Sequence, residues 1–133
     1  MSFLAIVMWN VSISLITRVY NALFSEEQMN QLIEKAAANL LVTFQPTGLK
    51  LKLLNALFHG GHCIVNSKML FGTGLDKACL IADTPQAMAR AVETALNEPF
   101  DQAKRTERIQ LLETYDNEKN IHILSDLLEE KLR

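Results

Sequence analysis

The residues best suited to chemistry are two lysines at the predicted start of a helix, in the sequence Thr47-Gly48-Leu49-Lys50-Leu51-Lys52. Gly48 has no Cβ, so the backbone there can approach a ligand closely. The first turn of a helix offers unpaired N–H groups and the positive end of the helix dipole, which attract an anion. Lysine is unfavourable at that end on dipole grounds, and a bound diphosphate would account for both Lys50 and Lys52. Solvated surface lysines explain the same pattern equally well.

Short apolar runs alternate with amphipathic stretches around this helix, which is typical of an α/β fold. Ser25 and Gln28 have the spacing of a capping box. The predicted elements are a helix over 26–38, a strand over 40–44, the lysine-bearing helix over 49–58, a strand over 62–66, a glycine-containing loop over 69–75, a strand over 78–82 and a helix from Pro85. The polar remainder, 101–133, is predicted to be helical with a break near Asp116-Asn117. The fold class is therefore α/β, a Rossmann-like parallel sheet flanked by helices, and such sheets bind ligands at the carboxyl ends of their strands.

Residues 1–24 form a separate, unassigned apolar leader or strand. The stretch from Met1 to Thr17 has no charged side chain, but it lacks the basic start and cleavage site of a secretory signal. A membrane-spanning helix needs about 20 apolar residues, and Asn10, Ser12 and Ser14 interrupt this one. The alternation over 11–15 is more typical of a half-buried strand. The expected compartment is the cytoplasm, and membrane contact through this segment stays an alternative.

Composition restricts the class of protein. A chain of 133 residues suits one compact domain. The net charge of −2 and the pI near 5.9 do not indicate a nucleic-acid partner. Cys63 and Cys79 lie in apolar runs, which is typical of small buried hydrophobes in a reducing compartment. No spacing indicates a zinc site, so we expect no metal and no cofactor.

The remaining polar side chains receive structural interpretations. His59 and His62 flank the two glycines, where an exposed helix end and a strand start explain them. Arg105 and Arg108 stand among glutamates and are predicted to lie on solvated, ion-paired faces. Tyr115 is expected to pack the last helices together. The sequence contains no convincing pair of nucleophile and base, so no catalytic residue is predicted.

The stretch TGLKLKLLNALFHGGHCIV, followed by the loop FGTGLD, resembles the donor-site signature of retaining GT-B glycosyltransferases of the large group that includes family 4, especially bacterial members. The resemblance covers roughly residues 25–128. It implies that residues 25–133 are a partial nucleotide-sugar-binding domain with C-terminal helices, similar to the second half of a GT-B fold. The implied ligand is a nucleoside diphosphate sugar. The acceptor-binding domain of such enzymes is not recognisable in this chain.

Site residues follow from this resemblance position by position. It implies that Gly48, Lys50 and Lys52 hold the donor diphosphate. It assigns the ribose and nucleotide contacts to Asn55, Thr47 and the loop Gly72, Thr73 and Gly74. Many relatives carry glutamates at the two positions that Thr47 and Asn55 occupy. The usual ribose contact is therefore altered here, although an asparagine can still bond a hydroxyl.

Two classes of function remain open at this point. The first is the donor-binding portion of a glycosyltransferase, inactive alone and completed by a separate acceptor-binding domain. The second is a non-catalytic remnant that acts as a protein or membrane interaction module, through self-association of a sheet edge or through the apolar N-terminal segment. A generic phosphate-binding α/β domain is a third interpretation. Dependence on a nucleotide distinguishes the first class from the second.

Overall fold

The computed structural model describes residues 4–5, 18–19, 25–47 and 50–132, the first two pairs as backbone only. In chain order the elements are β1 (Leu4–Ala5), β2 (Arg18–Val19), α1 (Glu26–Lys35), β3 (Ala38–Leu41), α2 (Leu51–His59), β4 (His62–Val65), α3 (Ser67–Leu70), β5 (Leu80–Ile81), α4 (Pro85–Asn97), α5 (Gln102–Leu112) and α6 (Asn117–Leu132). Short 3₁₀ turns lie at Asp76–Ala78 and Glu113–Tyr115.

The centre of the fold is a parallel sheet in the order β3-β4-β5. Ala38 pairs with His62 at the start of the first ladder, and Ile64 pairs with Leu80 in the second. Strands β1 and β2 pair antiparallel, and β1 lies beside β3. The predicted α/β class with a small parallel sheet and flanking helices is therefore confirmed.

Helices cover both faces of this sheet. Along β4, Cys63 and Val65 face a core cluster that contains Leu53 and Leu57 of α2 and Leu112 of α5. Ile64 belongs to the opposite cluster, where α4 packs through Ala95 and neighbouring apolar residues. A strand that is covered on both faces reads as a continuous apolar run. This is why β4 was predicted to within one residue.

The first strand of the parallel sheet, β3, begins earlier than predicted. Helix α1 starts at the predicted Ser25–Gln28 capping box but ends at Lys35, and β3 runs over Ala38–Leu41 instead of 40–44. Asn39 interrupts the apolar pattern, yet it is only 1% exposed, and its Nδ2 donates to the carbonyl of Ile33 at 3.2 Å. Beyond the strand, Phe44 is 86% exposed. A buried asparagine therefore concealed the start of the strand.

Several predicted boundaries in the second half agree with the structure. Thr84 caps α4 by accepting from the N–H of Ala87, with Pro85 in the first turn. The predicted break at Asp116 is present, since α6 starts at the next residue and the Asp116 side chain accepts from the N–H groups of Glu118 and Lys119. The third strand of the parallel sheet, β5, is shorter than predicted, because a 3₁₀ turn occupies Asp76–Ala78.

The predicted half-buried strand over 11–15 lies outside the described residues. Within the described ranges, no helix combines the length and the apolar character that crossing a membrane requires.

Candidate functional site

Two loops meet at the carboxyl edge of the sheet, where the sequence predicts the ligand. Asn66 follows β4, and its Nδ2 donates to the carbonyl of Thr43 at 2.7 Å. The N–H of Thr43 donates in turn to the Asn66 side-chain oxygen at 3.1 Å. This double hydrogen bond joins the end of β4 to the loop that leads into α2.

Lys50 lies directly before α2, which starts at Leu51 and not at the predicted residue 49. Its Nζ donates to the carbonyls of Gln45 at 3.2 Å and Thr47 at 3.4 Å. The side chain therefore closes the loop that precedes the helix. Thr47 and Lys50, which the resemblance assigns to different parts of the donor, contact each other through the backbone carbonyl of Thr47.

The charge at the amino end of α2 suits an anion. Among the described residues no side chain caps this helix, and its first turn contains no acidic residue. Lys52 is exposed in that first turn. Unsatisfied N–H groups and the helix dipole leave partial positive charge at this point. Asn55 lies one turn further along and is half-buried. Gly48 lies outside the described residues.

The predicted second loop is held by hydrogen bonds of its own. Gly72 and Gly74 have positive φ angles of 74° and 67°, which side-chain-bearing residues rarely adopt. The Thr73 hydroxyl donates to the carbonyl of Leu70 at 2.7 Å, and the Tyr115 hydroxyl donates to the carbonyl of Thr73 at 2.6 Å. Tyr115 therefore anchors this loop, a contact that its predicted helix-packing role did not include.

The two predicted loops flank one core. Leu53 of α2 lies in the same buried cluster as Leu70 and Leu75, on either side of the glycine loop. Among the described residues, no hydrogen bond joins the loop of residues 72–74 to Lys50 or Asn55. A ligand that contacts both would have to bridge them.

Asp83 lies in the loop that follows β5 and bonds to Ser67, the residue after Asn66. It thereby links the loop after β5 to the end of β4. Its carboxylate accepts from the N–H of Ser67 at 2.8 Å and from the Ser67 hydroxyl. These two bonds, the hydroxyl first, hold the pKa of Asp83 below its ordinary value of 3.8. Asp83 is fully exposed, so it stays an anion at the edge of the candidate site.

We expect NMR titration of Asp83 to give a midpoint below 3.8. Because the folded-state pKa is lowered, the stabilisation from this group is present above the unfolded pKa and is lost as the pH falls through the folded one. Ser67→Ala removes the hydroxyl donor and should move the midpoint upward. Ser125→Ala on α6 should leave the midpoint where it was. An unchanged midpoint in Ser67→Ala would contradict the assigned cause.

The two cysteines are free thiols, as predicted, with Cys63 buried and Cys79 partly buried. Burial raises the pKa of Cys63 to about 11, against a smaller opposing effect of Arg108. Burial also raises the pKa of Cys79 to about 12. Both are therefore protonated, poor nucleophiles at neutral pH.

The environment of Arg108 differs from the one that the sequence predicts. The residue was predicted on a solvated face, but it is only 5% exposed. Its Nη1 donates to the carbonyls of Gly60 at 3.1 Å and Gly61 at 2.6 Å, and its Nη2 donates to that of Ala78 at 3.2 Å. Its Cζ lies 4.1 Å from the centre of the Phe100 ring. Arg108 thus connects α5 to the starts of β4 and β5.

The histidines beside the glycines differ from each other. His59 is exposed at the end of α2, as predicted. His62 starts β4, also as predicted, and its Nε2–H donates to the carbonyl of Glu98 at 2.6 Å. Its ring meets Phe100 edge-on with centroids 5.3 Å apart. Both contacts give His62 a structural role.

Comparisons of this chain with family models, curated proteins and solved structures find no match. The resemblance to GT-B glycosyltransferases therefore stays a prediction that rests on the residues quoted above.

Proposed function

We propose that this chain provides the nucleotide-sugar-binding part of a glycosyltransferase, which moves a sugar from a nucleoside diphosphate to an acceptor. The observation that carries the proposal is the uncapped amino end of α2, with Lys50 and Lys52 beside it, at the carboxyl edge of a parallel sheet. This is where open α/β sheets bind ligands. The sequence resemblance assigns the donor diphosphate to the same two lysines.

The chemistry of this helix end suits a diphosphate. First-turn N–H groups and the dipole attract the anion without a side-chain cap to displace. The Lys50 ammonium has three donors, of which two contact loop carbonyls. The third donor is then available for a phosphate oxygen. As the sugar leaves, positive charge fixed in this place stabilises the departing diphosphate.

The glycine loop suits the remainder of the nucleotide. A Cβ at Gly72 or Gly74 would meet no atom of the described residues within 4 Å, which leaves room for a ligand beside the backbone there. Asn55, half-buried on α2, offers an amide to a ribose hydroxyl. Thr47 is exposed near the same helix end. In this proposal the nucleotide spans from the start of α2 to residues 72–74.

Titration with UDP and GDP by calorimetry tests the proposal. We expect saturable binding that weakens at least tenfold in Lys50→Ala/Lys52→Ala, which is about 1.4 kcal/mol. Lys119→Ala/Lys131→Ala on α6 removes the same charge away from the site and should bind as the unaltered chain does. Failure of the folded protein to bind any nucleoside diphosphate would refute the donor site, as would undiminished binding by the Lys50/Lys52 variant.

One observation favours the alternative of an interaction module. Helix α6 contains no buried residue, and Ile121, Leu124 and Leu128 are all more than half exposed. Their spacing puts them on one side of the helix. An apolar face of this kind usually marks a contact surface. Sedimentation of the purified chain with and without UDP distinguishes the two functions. An interaction module should associate to the same extent whether or not the nucleotide is present.

A further inference from the structure

A concave feature lies at the opposite edge of the sheet from the candidate donor site, where β4 and β5 begin. It is a cavity of about 240 Å³ between these strand starts, the end of α4 and α5. Apolar side chains, among them Leu80, Phe100 and Leu111, form part of its lining. The candidate donor site lies at the carboxyl ends of the same strands, so the two sites are separated by the length of the sheet.

The charge around this cavity is not balanced. Three basic residues, Lys77, Lys104 and Arg108, face two acidic ones, Glu98 and Glu107. The charges of Lys104 and Glu98 largely cancel each other, since Nζ of Lys104 and Oε2 of Glu98 lie 3.4 Å apart. Lys77 and Arg108 then outweigh Glu107 by one positive charge. Asp76 near Cys79 and Arg105 near Arg108 add one charge of each sign and leave that balance unchanged.

Arg108 is the fixed part of that charge. Within the described chain no carboxylate lies within ion-pair distance of it, and its buried Nε has no hydrogen-bond partner. Three carbonyl dipoles and the Phe100 ring compensate the guanidinium only in part. A buried cation without a counter-ion attracts an anion into adjacent space.

We propose that this cavity binds a small organic monoanion, one carboxylate on a compact apolar body, attracted by the unbalanced charge of Arg108 and Lys77. The volume equals that of roughly eight water molecules at about 30 Å³ each. It therefore accommodates a body of about one aromatic ring. One net positive charge favours a monoanion, and Glu107 at the lining disfavours a dianion.

Benzoate and its neutral analogue benzamide test the proposal on the full ¹⁵N-labelled chain. We expect benzoate to give saturable shifts of the amides at residues 62–63, 78–80 and 107–108, with a dissociation constant of about 1 mM. Benzamide should bind at least fivefold more weakly, and UDP should not displace benzoate. Equal affinities of benzoate and benzamide, or shifts that do not saturate, would overturn the proposal.

Variants of the cavity lining provide the second measurement, and Arg108 is left intact because it holds the fold. Thr94 is partly buried on α4 and lines the cavity, so Thr94→Phe should fill it and abolish the shifts. Lys77→Gln, an exposed change, should weaken benzoate at least threefold, and Lys119→Gln on α6 should not. Unchanged affinity in folded Thr94→Phe, or in Lys77→Gln if Thr94→Phe does not fold, contradicts the site.

Discussion

Arg108→Met is expected to lower the free energy of unfolding by about 3 kcal/mol. The substitution keeps most of the apolar volume over Phe100 but removes every donor. The carbonyls of Gly60, Gly61 and Ala78 then lose a charged partner, and those carbonyls lie at the starts of β4 and β5. Buried acceptors that are left unpaired carry their full desolvation penalty. Urea denaturation followed by circular dichroism measures the change.

Arg105→Met provides the matched control for this prediction. Arg105 also lies on α5, but it is partly exposed and its Cζ is 5.6 Å from the Phe100 ring centre. Its substitution should cost less than about 1 kcal/mol. Arg108→Lys separates charge from geometry, because an ammonium keeps the charge but lacks the planar fork. If Arg108→Met cost no more than Arg105→Met, the connecting role of Arg108 would be refuted.

Helical periodicity in the sequence indicates that Arg108 is buried, although the neighbouring glutamates favour an exposed position. Arg108 precedes Leu112 by four residues, so both lie on one face of a helix. Leu112 is buried, and that face is the one that packs on the sheet. The burial of Arg108 was therefore predictable from helical periodicity. Its partners were not, because Gly60 and Ala78 are distant in sequence and only the finished sheet brings them together.

The helix that follows Lys50 was predicted, but the position of the Lys50 side chain was not. The two glycines at 60–61 mark the end of α2 in the sequence, and its predicted bounds lie within two residues of the observed ones. The position of the Lys50 ammonium could not be derived in the same way. A flexible lysine bonds whichever acceptors the preceding loop presents, and here those are the carbonyls of Gln45 and Thr47. Loop shape thus decides whether a helix-start lysine faces a ligand or its own backbone.

Gly60→Ala is expected to destabilise the protein by about 2–3 kcal/mol. The sequence predicts this glycine as a helix stop, which usually requires a left-handed residue. Here its φ is −96°, which any residue adopts, so the requirement is for space. An added Cβ would lie 2.5 Å from Nδ2 of Asn39 and 2.7 Å from the carbonyl of Ala56. Asn39 would have to move and break its buried bond to Ile33.

Gly61→Ala, one residue further on, should behave differently. Its Cβ would meet the nearest side-chain atom, Cβ of Phe100, at 3.5 Å, an ordinary contact. Restricting the unfolded chain then makes the change neutral or stabilising by about 0.4–1 kcal/mol. Combining Gly60→Ala with Asn39→Ala tests the cause, because the double variant should lose less than the sum of the single ones. If the two free-energy losses simply add, the strain in Gly60→Ala comes instead from the contact with the carbonyl of Ala56. That carbonyl belongs to the backbone of α2, so no side-chain substitution relieves the contact.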